Sequence, residues 1–395
     1  MITTSNSLAP PAATIGLLGW LRRNLFSTWY NALLTGLALW LLWSLGTALW
    51  NFVTTAEWGV VTANLRLFMI GRYPVSEAWR AQAALSLLAL LLGASWGVWG
   101  GIVRNLAVGV GALFLVLALL PFELDSRLWL AANLALIAVG FGLGVVTRAR
   151  VTGVLRVAWL VSPFIVFGAL YGIGVPPLLT VFTDLWGGLL LTLTLAVVGI
   201  VASFPLGVLL AVGRQSSFPA IRAFCTLYIE LIRGVPLVTI LFMMQIMLPL
   251  FLPEGLTVER VVRALIGFAV FTSAYLAENV RGGLQSIGHG QSEAARALGL
   301  NALQTLWLIV LPQALRAVIP ALVGQFISLF KDTSLVAIVG LLDLTGIANS
   351  VVQQQAFLGR QSEVYLFIAA IYFVVAFSMS AASRRLEKVL GVGKR

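Results

Sequence analysis

The chain has 395 residues, 60% of them hydrophobic and only 10% charged, with a mean hydropathy of +1.00 and a formal net charge of +11. A soluble domain carries about 25% charged residues, so one is excluded; nucleic-acid binding is excluded too, because the arginines sit singly or in pairs at the ends of apolar runs, without a basic patch interleaved with aromatics. The single cysteine, Cys225, rules out an intrachain disulfide and a cysteine metal cluster, and the single histidine, His289, leaves little room for a metal site or proton relay.

The apolar runs are continuous and about 20 residues long, which predicts membrane helices rather than a barrel. A helix pairs its backbone polar groups within one segment, as lipid requires. Residues 1–20 are polar and mixed, with Pro10 and Pro11 and no small-residue cleavage site, so no cleavable signal peptide is expected. In chain order, about ten spans are predicted at the length a bilayer needs. They lie near 31–52, 82–100, 106–122, 129–147, 154–174, 187–212, 223–250, 263–282, 306–329 and 364–383. Trp20, Trp29, Trp40, Trp43, Trp50 and Trp58 flank the first as interface anchors.

With the N-terminus inside, the inner loops hold Arg104, then Arg148, Arg150 and Arg156, then Arg214 and Arg222, then Arg296, and finally Arg384, Arg385, Lys388, Lys394 and Arg395. The outer loops hold Glu123, Asp125 and Arg127, then Asp184, then Glu254, Glu259 and Arg260. That bias sets both termini in the cytoplasm. The first outer loop is an exception, since Arg66, Arg72 and Arg80 outnumber Glu57 and Glu77. Turn chemistry at Gly172-Ile173-Gly174-Val175-Pro176-Pro177 marks a boundary. It separates an accessory bundle, 1–183, from a motif-rich transport module, 184–390.

The most informative segment of that module is Glu293-Ala294-Ala295-Arg296-Ala297-Leu298-Gly299, followed by Ile309, Leu311 and Pro312. The alanines and Leu298 favour helix, and Gly299 can take the positive φ that ends one. Glu293 is placed in the first turn, where the helix dipole favours negative charge. A helix–glycine–helix hairpin on a membrane surface is a docking device, and the charge walk places it in the cytoplasm.

Two further motifs share the form Glu-x-x-Arg-Gly: Glu230 to Gly234 in the seventh span, and Glu278 to Gly282 at the end of the eighth. The i,i+3 spacing predicts pairs Glu230–Arg233 and Glu278–Arg281. They read either as structural pairs securing helix ends or as a gate whose ion pairs rearrange. Candidates for a substrate path are Gln325, Ser328, Asp332, Thr333 and Ser334 around the end of the ninth span, with Thr192 and Gln245 elsewhere. The bland alternatives are that the hydroxyls bond back to helix carbonyls and that Lys331–Asp332 is an interface pair. Met243, Met244 and Met247 read as packing.

The hairpin segment resembles the cytoplasmic coupling loop of permease subunits of binding-protein-dependent ABC importers. With Thr192-Leu193-Thr194-Leu195-Ala196 and Lys331-Asp332-Thr333-Ser334-Leu335, residues 184–390 look like the polar amino acid branch of that family. The N-terminal half, through Arg23-Asn24-Leu25-Phe26-Ser27 and Gly71-Arg72-Tyr73-Pro74, is similar to a permease of the general L-amino acid transporters. The resemblance implies an all-α integral membrane protein with a type I ABC importer permease core. It implies that Glu293, Ala294, Ala295, Gly299, Ile309, Leu311 and Pro312 couple to a partner ABC ATPase. It further implies a second, homologous permease in a heterodimer, a periplasmic or surface substrate-binding protein, L-amino acids as cargo, and a bacterial inner membrane. ATP and Mg would be used by the ATPase and no cofactor by this chain. The sequence agrees with that division, since it has no phosphate-binding G-x-x-x-x-G-K-[ST] loop and its only Gly-Lys is Gly393-Lys394. Two other readings remain: a stand-alone secondary transporter or channel, which needs a midplane ion site, and a membrane enzyme or scaffold, which needs a convergent catalytic set.

Overall fold

The computed structural model describes residues 16–119 and 124–391. Pro10, Pro11, Glu123, Gly393, Lys394 and Arg395 lie outside the described residues, as do the side chains of Arg148 and Arg150. Among the described residues nine helices are long and apolar enough to cross a membrane, or ten if one bent pair counts as a span. Nine of the ten predicted spans coincide with one of these helices to within several residues. The chain divides into two compact units, Met1–Trp58 and Gly59–Arg395.

The first unit contains α1 (Leu17–Asn24) and α2 (Trp29–Thr55). The Thr28 hydroxyl caps α2 by accepting from the Asn31 N–H at 3.4 Å. No residue of α2 is buried, and Trp29, Trp43 and Trp50 are all widely exposed. A helix apolar on every side is stable when its solvent is hydrocarbon. The hydroxyls of Thr47 and Thr54 satisfy themselves on the carbonyls of Trp43 and Trp50.

The second unit opens with the short helices α3 (Gly59–Ala63) and α4 (Leu65–Ile70), then α5 (Ala78–Trp99), α6 (Gly101–Leu119) and α7 (Leu124–Tyr171). Ser86 of α5 bonds Asn133 of α7, and Gly97 meets Phe141 and Gly144, so this part of α7 runs parallel to α5. Further on, Trp159 Nε1 donates to Ser95 Oγ at 2.8 Å and Tyr73 OH to the Leu170 carbonyl at 2.7 Å, the reverse order. The two spans of α7, Leu124–Thr147 and Val151–Tyr171, therefore run in opposite directions. Gly93, Gly97, Gly140 and Gly144 make the contact possible, because a methyl on any of them would strike backbone of the facing helix. Small residues at fourfold spacing are how membrane helices approach closely without a hydrophobic drive between them.

Part of the arginine excess of the first outer loop has a structural cause. Arg80 is fully buried, pairs with Glu77 at 2.8 Å, and donates to the carbonyls of Leu179 (2.7 Å) and Pro177 (3.1 Å). Arg66 donates to the Tyr73 carbonyl at 2.7 Å. The Arg80 guanidinium is committed inside the protein, whereas Arg66 and Arg72 are exposed.

The remaining elements are α8 (Gly188–Arg214), α9 (Pro219–Arg233), α10 (Leu237–Phe242), α11 (Arg260–Gln285), α12 (His289–Ala297), α13 (Ala302–Gln304), α14 (Leu311–Asp332), α15 (Leu344–Val351) and α16 (Gln361–Leu390). Helix α11 is the central one: Val261, Ala264 and Phe268 join one core with Tyr73, Trp186 and Leu195, while Leu276, Ala277 and Val280 join another with Val208, Ile229 and Ala314.

One predicted span is corrected. The run 223–250 is not a single helix: α9 and the continuation of α10 to Phe251 meet at a bend of 105°. Pro236 lacks an N–H and drives Val235 away from helical ψ, so the helix ends at Arg233 and restarts at Leu237. Helix α9 has Cys225 and Ile229 buried and Phe224, Leu227 and Leu231 exposed.

Candidate functional site: a loop hairpin and the charge hub beside it

Helix α11 ends at Gln285, and the chain re-forms as α12 from His289. Helix α12 closes at Gly299, whose φ is +82°, with the N–H groups of Gly299 and Leu300 returning to the carbonyls of Arg296 and Ala295. Such a left-handed turn is open to glycine and costs other residues about 1–2 kcal/mol. Asn301 and Gln304 then form a reciprocal capping box, at 2.8 and 3.0 Å, that starts α13. A π turn over Thr305–Val310 leads without a break into α14, which has Pro312 in its first turn. The expected helix–glycine–helix hairpin is thus present, with its second arm fused to a membrane helix.

Glu293 needs a correction. The helix begins at His289, so Glu293 lies beyond the first turn, and its charge gains little from the dipole end. It is exposed, as are Ala294 and Arg296, while Ala295 is buried against the body. Ile309 is half-buried in the π turn, Leu311 is buried, and Pro312 is exposed. The apolar side chains of Leu298 (83% exposed), Leu303 (66%) and Leu308 (63%) project from the tip and second arm of a loop that also carries charge. The arms are tied by Gln313 Nε2 to Gln291 Oε1 at 3.4 Å. At the base, Gly283 of α11 touches Ala314 and Val318 of α14 so closely that a methyl would collide.

Beside this base lies a hub of charge. Glu278 accepts from Arg281 Nε at 3.0 Å, and also pairs with Arg214 of α8 at 3.2 Å and Arg233 of α9 at 3.8 Å. Arg214 reaches across to Glu230 at 2.8 Å. Arg233 stands over the Tyr275 ring, 5.6 Å from its centroid. The expected Glu278–Arg281 pair forms. The expected Glu230–Arg233 pair is replaced: Glu230 serves Arg214, and Arg233 serves Glu278. Because α9 ends in a sharp bend, its last turn faces α8 and α11 instead of its own neighbours. Arg214 was read only as a topology signal, and its partners lie 16 and 64 positions away, beyond any local spacing rule. The hub joins three helix ends, so α11 cannot shift against α8 and α9 without exchanging ion pairs.

The predicted substrate-path residues do not come together. Thr192 donates to the Gly188 carbonyl and accepts from the Leu344 N–H, each at 3.0 Å, which caps α15. Thr333 and Ser334 bond back to the carbonyls of Phe330 and Lys331. Asp332 and Gln325 are half-buried and Ser328 exposed on α14. Gln245 lies in the π turn after α10, with Nε2 on the Arg260 carbonyl at 2.7 Å. Asp343 was missed by sequence reasoning. It is wholly buried and caps α15 through the N–H groups of Thr345 (3.1 Å) and Gly346 (2.9 Å), with Tyr372 OH at 3.2 Å. Burial pushes its carboxyl up to about 6 despite those donors.

Residues 203–391 match the family described as binding-protein-dependent transport system inner membrane component. The inner membrane amino-acid ABC transporter permease protein YhdY of Escherichia coli is 40% identical over 95% of this chain and 93% of its own. The glutamate/glutamine/aspartate/asparagine transport system permease protein BztC of Rhodobacter capsulatus is 37% identical over 97% and 96%. A solved amino acid ABC transporter is similar at 33% identity over 51% of this chain and 92% of its own, with a TM-score of 0.46. The chain is therefore a multi-pass inner-membrane component of binding-protein-dependent transport systems. Within that class it belongs to the amino-acid ABC transporter permeases, as the hairpin motif led us to expect.

Proposed function

We propose that this chain is the permease subunit of an ATP-driven, binding-protein-dependent importer that carries L-amino acids across the inner membrane. Glutamine is the first cargo to test, since it appears in the name of the Rhodobacter relative. The hairpin carries the reading: a charged loop with exposed leucines around Gly299, rooted on α11 and α14, suits a groove in a soluble partner. The partner is an ABC ATPase that supplies ATP and Mg chemistry this chain has no phosphate loop to perform. A second, homologous permease completes the membrane pore as a heterodimer, and a periplasmic or surface binding protein delivers the amino acid.

In this reading Glu293, Ala294, Ala295, Gly299, Ile309, Leu311 and Pro312 form or position the coupling surface. Closure of the ATPases moves α12, and the pull reaches the end of α11. There the pairs of Glu278 and Glu230 with Arg214, Arg233 and Arg281 exchange as the helices shift, which makes the hub a cytoplasmic gate between two packings. The charge bias supports the sidedness: Arg214, Arg222, Arg296, Arg384 and Arg385 share the hairpin's side, with both termini cytoplasmic.

The test is co-expression with the adjacent genes, purification of the tagged chain and uptake in proteoliposomes. A P-loop ATPase that copurifies, and glutamine uptake that needs ATP and the binding protein, are expected. Uptake that persists without ATP under an ion gradient would instead identify a secondary transporter.

A further inference from the structure

At the end of α11 remote from the hub lies a pocket of about 370 Å³. Its apolar walls include Phe242, Ile246 and Ile338, and its polar lining is Gln245, Arg260 and Arg263. Among the described residues no carboxylate lines it, so two guanidinium charges share a partly apolar cavity without a lining counter-charge. Their positions are fixed by backbone: Arg260 Nη2 donates to the carbonyls of Val339 (2.8 Å) and Gly340 (3.3 Å), and Arg263 Nη1 donates to the Gln245 carbonyl at 2.5 Å. Arg263 Nε is buried without a hydrogen-bond partner. A buried donor of a charged group is costly to leave unmade, and a fixed guanidinium matches a carboxylate best. Gln245 spends its Nε2 on the Arg260 carbonyl, which leaves its Oε1 as an acceptor.

We propose that this pocket binds a free amino acid, with Arg263 and Arg260 holding the α-carboxylate and Gln245 Oε1 accepting from the α-ammonium. The proposal rests on the transport reading above and adds a site on this chain for the cargo itself. The volume suits one small zwitterion, near the lower limit of ordinary ligand cavities at about 300 Å³. A lipid phosphate is the other anion available at a membrane, and the experiment separates the two.

The assembled transporter, without its binding protein, is placed in phosphatidylcholine nanodiscs, and equilibrium binding of radiolabelled L-glutamine is measured. Arg263→Gln should weaken binding roughly 10- to 100-fold, with Arg263→Lys between it and the wild type. The decarboxylated analogue 4-aminobutanamide should not compete. Ile338→Trp, which fills the pocket and leaves both arginines in place, should abolish binding even if Arg263→Gln fails to assemble. Wild-type affinity in Arg263→Gln or Ile338→Trp, within a complex that imports glutamine, overturns the site and leaves the transport reading intact. Displacement of glutamine by added phosphatidylglycerol assigns the pocket to lipid and also overturns it. A wild-type complex that binds no glutamine, and that imports no L-amino acid with ATP and the binding protein present, sinks both.

Discussion

Replacing Gly299 isolates the hairpin turn from every other property of the loop. Its φ is +82°, and a methyl built on it meets no atom within 4 Å. The cost of a side chain there is therefore backbone strain alone, about 1–2 kcal/mol for alanine and more for a β-branched residue. That shifts the population of the turn by a factor of about 5–30. Asparagine visits the left-handed region more readily and should lose only a part of this. If the ATPase reads this one conformation, its affinity for the permease should fall in the order Gly, Asn, Ala, Val, with alanine weaker by about 5- to 30-fold. Titration of the purified ATPase onto nanodisc-embedded permease, by fluorescence anisotropy, measures the series. Membrane insertion and melting temperature should barely change, because the turn buries nothing. Equal affinity across all four variants would show that the turn does not set the docking geometry.

Glu278→Gln removes the carboxylate shared by Arg281, Arg214 and Arg233. The side chain is only 24% exposed, so a loss of about 2–3 kcal/mol is expected, read as a lower melting temperature and as ATP hydrolysis uncoupled from uptake; unchanged values would make the hub ornamental. Gly93→Val should separate α5 from α7 at a cost of about 1–3 kcal/mol or more, with loss of assembled protein on size-exclusion chromatography, and normal yield and melting would refute the close contact. Glu259 provides a pH signature. Burial alone would raise its carboxyl, but donation from the Thr183 hydroxyl and N–H and from Tyr171 OH more than offsets this and holds it below its ordinary 4.5. The folded state then binds fewer protons than the unfolded state near that value, so stability present above 4.5 falls as the pH drops through it. Glu259→Gln should flatten the melting curve against pH across that range, and an unaltered acid slope would count against the three donors.

The membrane spans and the hairpin were legible because their causes are local. Apolar length dictates a span, and a glycine after a run of alanines dictates where a helix stops. The 105° bend at Gly234 to Pro236 carried a local signal as well, in the proline, but an apolar run long enough to cross a bilayer masked it. What could not be read are the contacts made across the chain. The charge hub depends on Arg214 meeting a carboxylate 64 positions later, and Thr192 is claimed by a backbone N–H at Leu344, 152 positions away. Residues chosen as cargo ligands for their polarity proved to be caps and back-bonds, since polarity alone does not say which partner a hydroxyl finds. Conversely, Arg263 was passed over because its neighbours in sequence are ordinary. Only the fold brings it to Gln245 in an open cavity.

The fusion of the hairpin's second arm to α14 makes a crowbar. The stretch Ala302–Ala337 spans 36 residues, about 54 Å at 1.5 Å per residue. It meets α11 closely at Ala314, against Gly283, and that point is a natural fulcrum. The arm on the hairpin side is about 18 Å long and the arm on the other about 34 Å. A rigid tilt that moves the loop by one unit would move the far end, at Ala337, by roughly two. Pro320 and the π turn set how stiff the bar is, and so how much of a small stroke survives the passage across the bilayer.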